Sequence, residues 1–418
     1  MIGAPPSPAQ SPKLPFDLAR VAVLLSASVL INYIDRGTLS VAAPVLKEDL
    51  HLSASQLGVL LSSFFWTYSV FQIVSGWMVD RFEVNWVLAL GVLAWSCATL
   101  TTGLVHGFAL LLTARLLLGV GESVAYPSYN KIIAKHFQAL HRGRANGLIS
   151  AGWAAGPAVG TLVGGLLVAH IGWRLFFVVL GLASLLWLPA WVKWMPRGAG
   201  LVTSTSAKPA GILEILLQRS AWGTFAGLFC FNYLWYFLIT WLPFYLVHQR
   251  DFSLQIMSLV GGAAFFALAI SVTVSGWAAD RWMAAGGHPT RVLKTFCGTG
   301  LALASISFVI VFLISDHTVA MAILIFSCVA LGMCSPNLWT MTQILAGPQT
   351  AGKWAGLENF CGNLAGIVAP LVAGIILERT GEFFWAFAIT GAVALLGAAS
   401  YVFLVGPVEP IKWRARPV

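Results

Sequence analysis

The stretch Gly76-Trp77-Met78-Val79-Asp80-Arg81-Phe82 recurs, with its glycine, tryptophan, aspartate and arginine unchanged, as Gly276-Trp277-Ala278-Ala279-Asp280-Arg281-Trp282. Each copy ends an apolar run of about 20 residues or more, the length that a helix needs to cross a bilayer. The pair Asn32-Tyr33 returns at the same offset as Asn232-Tyr233. These matches predict two parallel repeats in one chain, an arrangement of secondary transporters in which substrate binds at the membrane midplane between the halves.

The composition excludes a water-soluble protein. Of the 418 residues, 58% are hydrophobic and 9% are charged, and the mean hydropathy is +0.84, whereas soluble domains carry about 25% charged residues. The apolar runs are long and do not alternate, which excludes a membrane β-barrel. The Pro-rich beginning of the chain lacks the features of a cleaved signal peptide, so we expect a disordered cytoplasmic tail at 1–17.

Twelve apolar runs in the sequence are long enough to span a membrane. We therefore predict an all-α membrane protein whose 12 transmembrane helices form two six-helix parallel-repeat bundles, at 18–195 and 220–407. A cytoplasmic linker at 196–219 joins the bundles, and a cytoplasmic tail follows at 408–418. The predicted spans are 18–43, 54–79, 86–105, 108–130, 145–169, 174–195, 221–247, 255–279, 291–314, 318–346, 354–377 and 384–406.

The basic residues indicate how the chain is oriented. With a cytoplasmic N-terminus, most of the 24 Lys and Arg residues fall in cytoplasmic segments, and only Lys47, Arg174, Arg250 and Arg379 fall outside. The positive-inside rule then predicts that both termini are cytoplasmic. The net charge of +9 therefore reflects orientation and does not point to nucleic acid. We expect a bacterial inner membrane and a monomer.

Several classes of function lack their sequence signals. The six cysteines lie in apolar runs without a C-x-x-C motif or histidines at ligand spacing, so neither a disulfide framework nor a metal site is predicted. No Walker motif is present, which excludes ATP-driven transport by this chain, and no catalytic cluster indicates an enzyme. We expect no cofactor, with a proton gradient as the energy source. A channel or sensor derived from a carrier is the alternative.

Two motifs carry a resemblance to a known family. The loop motif G-x-x-x-D-R in a chain of six plus six spans resembles the major facilitator superfamily, over residues 18–407. Within it, Asn32-Tyr33-Ile34-Asp35-Arg36, Arg115 with Glu122, and Trp235-Tyr236 resemble the anion:cation symporter branch. That branch includes proton-coupled importers of galactonate, hexuronates and glucarate, and the sialic acid and vesicular glutamate carriers. The resemblance implies the major facilitator fold and alternating access.

Four charged residues inside the predicted spans form the central hypothesis: Asp35, Arg36, Arg115 and Glu122. A charge at the bilayer centre costs roughly 2.5 kcal/mol or more, so each is a functional candidate. We predict that Arg36 and Arg115 attract a substrate carboxylate, while Asp35 and Glu122 take up protons because the anion upsets a net-neutral set. The resemblance implies the same proton roles for the two carboxylates. Two structural ion bridges are the alternative.

Several uncharged residues are also candidates for substrate binding. The resemblance places Tyr33 and Tyr68 beside the substrate, together with Asn359 and Trp339 of the second half. A helix-to-helix hydrogen bond is the alternative role for a tyrosine or a glutamine in a bundle. The remaining candidate substrate residues are Asn32, Gln72, Trp235 and Tyr236.

Glu358 has three candidate roles: a third titrating group, a partner of Lys353, or a solvated helix end. The pairs Asp80–Arg81 and Asp280–Arg281 are predicted as gating residues, which cap helices and form charge latches that stabilise the outward-open state. Where the family continues with glycine and basic residues, this chain reads Glu83-Val84-Asn85-Trp86. We therefore expect a weak N-terminal latch and a bias toward the inward-open state.

One position in the fifth predicted span bears on the size and polarity of the substrate. Sugar-acid transporters of the branch commonly carry a polar amide there, near the position of Gly152-Trp153 in this chain. A tryptophan removes a hydrogen bond to a polyol and fills volume. A sugar acid such as galactonate, glucuronate or glucarate stays the first prediction, and a smaller or aromatic monocarboxylate is the alternative.

Overall fold

Helices account for nearly all of the described chain. The computed structural model describes residues 16–137, 139–196 and 210–413. Nearly all of the predicted tail at 1–17, most of the predicted linker at 196–219 and the end of the predicted tail at 408–418 lie outside the described residues. The described part consists of α1 (Phe16–Asp49), α2 (Ala54–Arg81), α3 (Val84–Leu104), α4 (Phe108–Ser123), α5 (Ala125–His136), α6 (Ala139–Leu185), α7 (Trp187–Trp194), α8 (Ile212–Leu216), α9 (Arg219–His248), α10 (Leu254–Ala284), α11 (Pro289–Leu313), α12 (His317–Thr380), α13 (Phe384–Ala399) and a π-helical end, Ser400–Leu404.

Two of these helices each contain a sharp break at a glycine. Gly172 in α6 has φ 76° and ψ 161°, and Gly347 in α12 has φ 69° and ψ 165°, values that favour glycine over residues with a Cβ. Within the described residues, eleven helices are long and apolar enough to cross a membrane, and one of them, Ala145–Trp194, is 50 residues long. Because Gly172 divides that segment into two parts of spanning length, the structure agrees with the twelve predicted spans.

The repeat is visible in how the helices begin. Ser53 caps α2 by accepting a hydrogen bond from the Gln56 backbone N–H, and Gln56 bonds back to the Ser53 backbone in a capping box. Ser253 caps α10 in the same way, accepting from the Ile256 N–H. The second span of each half therefore begins at an equivalent serine, as two copies of one six-helix unit require.

A stripe of glycines holds α6 close to α1. A Cβ atom at Gly152 would lie 2.6 Å from the Ser26 carbonyl oxygen, and one at Gly160 would lie 3.2 Å from the Ile34 Cα. A Cβ at Gly156 would meet the Tyr33 side chain at 2.4 Å. Close approach through small residues is the usual device of membrane helix pairs. It fixes the part of α1 that carries the candidate site.

The two halves touch at one end of the bundle, which we call the closed end: the connections at 50–53 and 249–253. There the Ser53 hydroxyl and the Ser55 backbone N–H donate to Glu378 Oε2 at 2.9 and 2.7 Å. Nearer the middle, the Ser40 hydroxyl donates to the Ile239 carbonyl at 2.6 Å. These contacts join α1 and α2 to α9 and α12.

The opposite end, which we call the open end, carries the connections at 82–83 and 285–288. The hydrogen bonds and ion pairs recorded between described residues of the two halves all lie between the closed end and Gln72. Asp80 pairs with Lys131 of its own half at 2.5 Å, and Arg281 lies over the Trp277 ring at 4.5 Å. Two of the four predicted gating residues, Asp80 and Arg281, therefore contact their own halves in this state.

Candidate functional site

A small enclosed cavity lies between the two halves. It has a volume of about 10 Å³, roughly the space for a single water molecule. Helices α1, α2 and α4 supply one side of it and α9 supplies the other. The lining residues are Tyr33, Arg36, Leu61, Phe64, Phe65, Arg115, Trp235, Tyr236, Ile239 and Thr240.

Arg36 is the most heavily contacted charge of the cavity. Its Nε donates to Glu122 Oε2 at 3.0 Å, and both side chains are buried. The guanidinium carbon lies 4.4 Å from the ring centre of Tyr68 and 4.6 Å from that of Tyr33. Aromatic faces stabilise a desolvated cation. Arg36 Nη2 and Glu122 Oε1 have no hydrogen-bond partner among the described residues.

Arg115 and Asp35 complete the charged set. Arg115 lines the cavity, and its Nε has no hydrogen-bond partner in the described chain. Asp35 is fully buried, and neither of its carboxyl oxygens has a partner there. The structure thus brings together all four charges that the sequence singled out. Of the two structural ion bridges weighed as the alternative, one is formed, Arg36–Glu122, and no Arg115–Asp35 pair within 4.0 Å accompanies it in the described residues.

The uncharged candidates fall into different surroundings. Trp235 and Tyr236 line the cavity, and the Tyr236 hydroxyl donates to Asn363 Oδ1 at 2.7 Å. Asn359 Nδ2 donates to Gln72 Oε1 at 3.2 Å, so this pair links the two halves.

Other uncharged candidates do not line the cavity. The Tyr68 ring contacts the Arg36 guanidinium, which does line it. Two other candidates stand apart from the lining: Asn32, whose amide is buried without a partner in the described chain, and the half-buried Trp339.

The walls of the cavity were not predicted. Leu61, Phe64, Phe65 and Ile239 are apolar residues within apolar runs, so nothing in the sequence marks them. Trp153 was noted, and its ring centre lies 6.2 Å from that of Tyr33 and 6.1 Å from that of Trp235. It therefore bridges aromatic residues of the two halves directly beside the cavity.

Glu358 is buried, which excludes the solvated helix end. Its Oε2 accepts a hydrogen bond from the Thr342 hydroxyl at 2.6 Å, and its Oε1 has no partner in the described residues. The proposed pairing with Lys353 is wrong, because Lys353 Nζ instead donates to the Ala210 carbonyl at 3.0 Å. The Glu358 carboxyl thus lies inside the C-terminal half, away from the cavity lining.

Glu358→Gln is expected to fold and to take up substrate at the wild-type level. Glutamine has nearly the same shape, can still accept from Thr342, and places no charge among apolar neighbours. Glu358→Lys, which buries a cation without a partner, is expected to lower the folded yield sharply. Yield on size-exclusion chromatography and uptake by proteoliposomes measure both. A well-folded Glu358→Gln carrier without gradient-driven uptake would instead assign Glu358 as the third titrating group.

The known proteins that this chain resembles over most of its length are transporters. A family model described as Major Facilitator Superfamily matches residues 25–370. The hexuronate transporter of Bacillus subtilis is 27% identical over 405 residues, which cover 94% of this chain and 96% of the relative. The probable sulfoacetate transporter SauU of Cupriavidus necator is 32% identical over 391 residues, which cover 90% of each protein.

A solved structure shows the same fold. It is a bacterial homolog of the human lysosomal transporter Spinster in an inward-facing, unoccupied conformation. The TM-score is 0.81, the sequences are 19% identical, and the match covers 94% of this chain and 98% of that one. At this identity the similarity concerns the fold alone. The all-α fold with two six-helix units, predicted from the repeat, is therefore confirmed.

Proposed function

Because this chain belongs to the major facilitator superfamily and is a multi-pass membrane transporter, we propose that it carries an organic anion together with protons by alternating access. One observation supports this above others: two buried arginines meet at one cavity between the halves, beside two buried carboxylates. A membrane protein retains such costly groups where they bind a substrate or an ion.

The cavity favours an anion. Arg36 and Arg115 are the charged residues of its lining, and Arg36 Nη2 and Arg115 Nε are buried donors without partners in the described chain. A buried donor left unpaired costs free energy that a ligand oxygen would recover. Guanidinium groups also match the geometry of a carboxylate, since they offer planar donors for two oxygens. A substrate carboxylate that reaches this site as the halves separate would accept hydrogen bonds from both arginines.

The Arg36–Glu122 contact provides a mechanism for proton coupling. A substrate carboxylate competes with Glu122 for the Arg36 guanidinium, which Glu122 holds at 3.0 Å in this state. Once displaced, the Glu122 carboxylate is a buried charge without its cation, and protonation removes that penalty. Asp35, buried without a hydrogen-bond partner among the described residues, offers a second proton position in the same buried set of charges. Anion entry and proton uptake are then one coupled event.

A sugar acid is the first substrate class. The relatives of this chain include a hexuronate transporter that matches along nearly the full length of both proteins. The hydroxyls of Tyr33, Tyr236 and Thr240 at the cavity can exchange hydrogen bonds with substrate hydroxyls. We propose that the carrier uses no cofactor, since the proton gradient supplies the energy, and that it is a monomer in a bacterial inner membrane with both termini in the cytoplasm.

A compact carboxylate is the second candidate. The Trp153 ring lies beside those of both Tyr33 and Trp235 and takes up volume next to the cavity. The 32% identical relative is named a probable sulfoacetate transporter, which would carry a much smaller anion. Bulk at position 153 favours a substrate with fewer hydroxyl groups.

Uptake by the purified carrier in liposomes tests the proposal. An inward proton gradient is imposed, and labelled hexuronate, galactonate, glucarate, lactate, sulfoacetate and an aromatic carboxylate are offered in turn. We expect one class to accumulate, and the accumulation to vanish when a protonophore removes the gradient. Accumulation that persists without a proton gradient would contradict coupling. Saturable exchange with no gradient-driven accumulation would indicate an exchanger.

Trp153→Gln is expected to shift the preference toward sugar acids by about tenfold relative to compact carboxylates. Removing the indole frees volume beside Tyr33, and the amide restores a hydrogen-bond partner for a polyol, a contact worth about 1 to 2 kcal/mol in a membrane bundle. The ratio of uptake efficiencies for galactonate and lactate measures the shift. Trp153→Phe, which keeps the apolar wall, is the control, and an equal ratio in all three proteins would contradict a selective role.

A further inference from the structure

A second, larger depression lies on the outer surface of the C-terminal half, apart from the cavity between the halves. It runs between the first part of α11 and the end of α13 with its π-helical continuation, and its volume is about 760 Å³. Small residues, Gly298, Ala302 and Ala399, form its floor. Leu395 and Phe403 stand at its edge with 49% and 72% of their surfaces exposed. The walls are therefore apolar and face the surrounding lipid.

The rim of this groove at the open end of the bundle is basic. Arg291 is exposed and has no ion pair among the described residues, and Lys294 and His288 lie beside it. Lys294 Nζ donates to the carbonyl oxygens of Val402 and Val405 at 2.9 and 2.5 Å, and an ammonium group still has a third proton. Arg219 adds positive charge near Lys294.

Among the described residues, the carboxylate of Glu409 reaches the rim. Glu409 Oε1 lies 3.8 Å from His288 Nε2. The rim keeps a net positive charge even with Glu409 ionised, because Arg291, Lys294 and Arg219 outnumber it. Positive charge at the end of an apolar groove in a membrane helix bundle is the pattern that recognises lipid phosphate.

We propose that this groove binds one anionic phospholipid, with its phosphate at Arg291 and Lys294 and an acyl chain along Ala302 and Leu395. The two parts of the site match the two parts of such a lipid. From residue 294 to residue 302 the helical rise gives about 12 Å of apolar wall, enough for the first part of a chain. A free inorganic anion would satisfy the rim and leave the apolar walls unused.

Native mass spectrometry of the purified carrier with added phosphatidylglycerol, phosphatidylcholine or inorganic phosphate tests this assignment. We expect one phosphatidylglycerol to remain bound at activation energies that strip phosphatidylcholine. Arg291→Gln is expected to weaken that binding by about fivefold, the effect of removing one basic residue from an anionic lipid surface. Ala399→Trp, which fills the floor without changing charge, is expected to abolish it. Lys193→Gln, an exposed basic position over Trp194 in the other half, is the control.

The outcomes separate the sources of a phosphate. Equal retention of the two lipids, or equal loss in Arg291→Gln and Lys193→Gln, would overturn the proposal. Thermal stabilisation by inorganic phosphate as large as that by phosphatidylglycerol would assign the rim to a free anion and would also overturn it. Stabilisation by phosphatidylglycerol that survives Arg291→Gln but not Ala399→Trp would overturn the assignment of the headgroup to Arg291.

Discussion

A carrier with Glu122→Gln is expected to lose uptake driven by a proton gradient and to keep exchange of substrate across the membrane. The glutamine amide oxygen can still accept the hydrogen bond from Arg36 Nε that Glu122 accepts at 3.0 Å. It cannot take up or release a proton. Substrate binding and the movement of the two halves should therefore persist, while accumulation against a gradient falls to the level of protein-free liposomes.

The pH dependence of binding should change with it. In the wild-type protein, protonation of Glu122 releases Arg36 for the substrate, so affinity for the anion should rise as the pH falls. Glutamine leaves the cavity with the charge of the protonated state at every pH. Binding by Glu122→Gln should consequently be tight and depend far less on pH, which isothermal titration calorimetry of the two proteins between pH 5 and pH 8 would measure.

A matched control separates coupling from general damage. Glu358→Gln makes the same chemical change at a buried carboxylate that lies outside the cavity lining and contacts Thr342. It should retain gradient-driven uptake, so a loss confined to Glu122→Gln would identify the coupling group. Gradient-driven accumulation by Glu122→Gln at the wild-type rate would remove Glu122 from the mechanism.

The charged centre could be predicted because charged residues are costly inside a membrane span and are therefore easily recognised in the sequence. Asp35, Arg36, Arg115 and Glu122 interrupt apolar runs, where the cost of burying a charge marks each of them as a functional candidate. The fold could be predicted from the repeated Gly-Trp-x-x-Asp-Arg stretch, because a long motif rarely recurs at a fixed offset by chance. Both predictions depended on local pattern.

Other features depended on how helices pack, which local pattern does not specify. Nothing in the sequence indicated that Glu122 would bond Arg36 and leave Arg115 Nε unpaired. Glu358 shows the same limit: Lys353 is close in sequence, but the side chain turns to Thr342 of the preceding part of α12 beyond the Gly347 break.

Gly374→Val is expected to favour the state in which the two halves separate at the closed end, and to reduce transport strongly. A Cβ at Gly374 would lie 2.8 Å from the Ala54 carbonyl oxygen and 3.1 Å from the Gly58 Cα. These are backbone atoms of α2 in the other half, so they cannot move aside as a flexible side chain would. Overpacking of this kind costs about 1 to 3 kcal/mol, which shifts a two-state equilibrium by roughly 5- to 150-fold.

The clash acts on only one of the two states. Alternating access requires α2 and α12 to separate at this end when the other end closes, and separation relieves the contact between Gly374 and α2. Valine also removes the flexibility of glycine in both states alike, so that effect cancels from their ratio. The contacts of Ser53 and Ser55 with Glu378 would be lost with the same movement.

Spin labels at two exposed positions, His51→Cys and Glu382→Cys, measure the opening in a background without the six native cysteines. In Gly374→Val the distance distribution should move to longer values, and uptake should fall while the protein still binds substrate. Gly356→Val is the control, because it lies in the same helix and a Cβ there would meet nothing within 4 Å. It should leave the distances at this end unchanged. An unaltered distribution in Gly374→Val would mean that the two helices separate too little here for this contact to govern the gate.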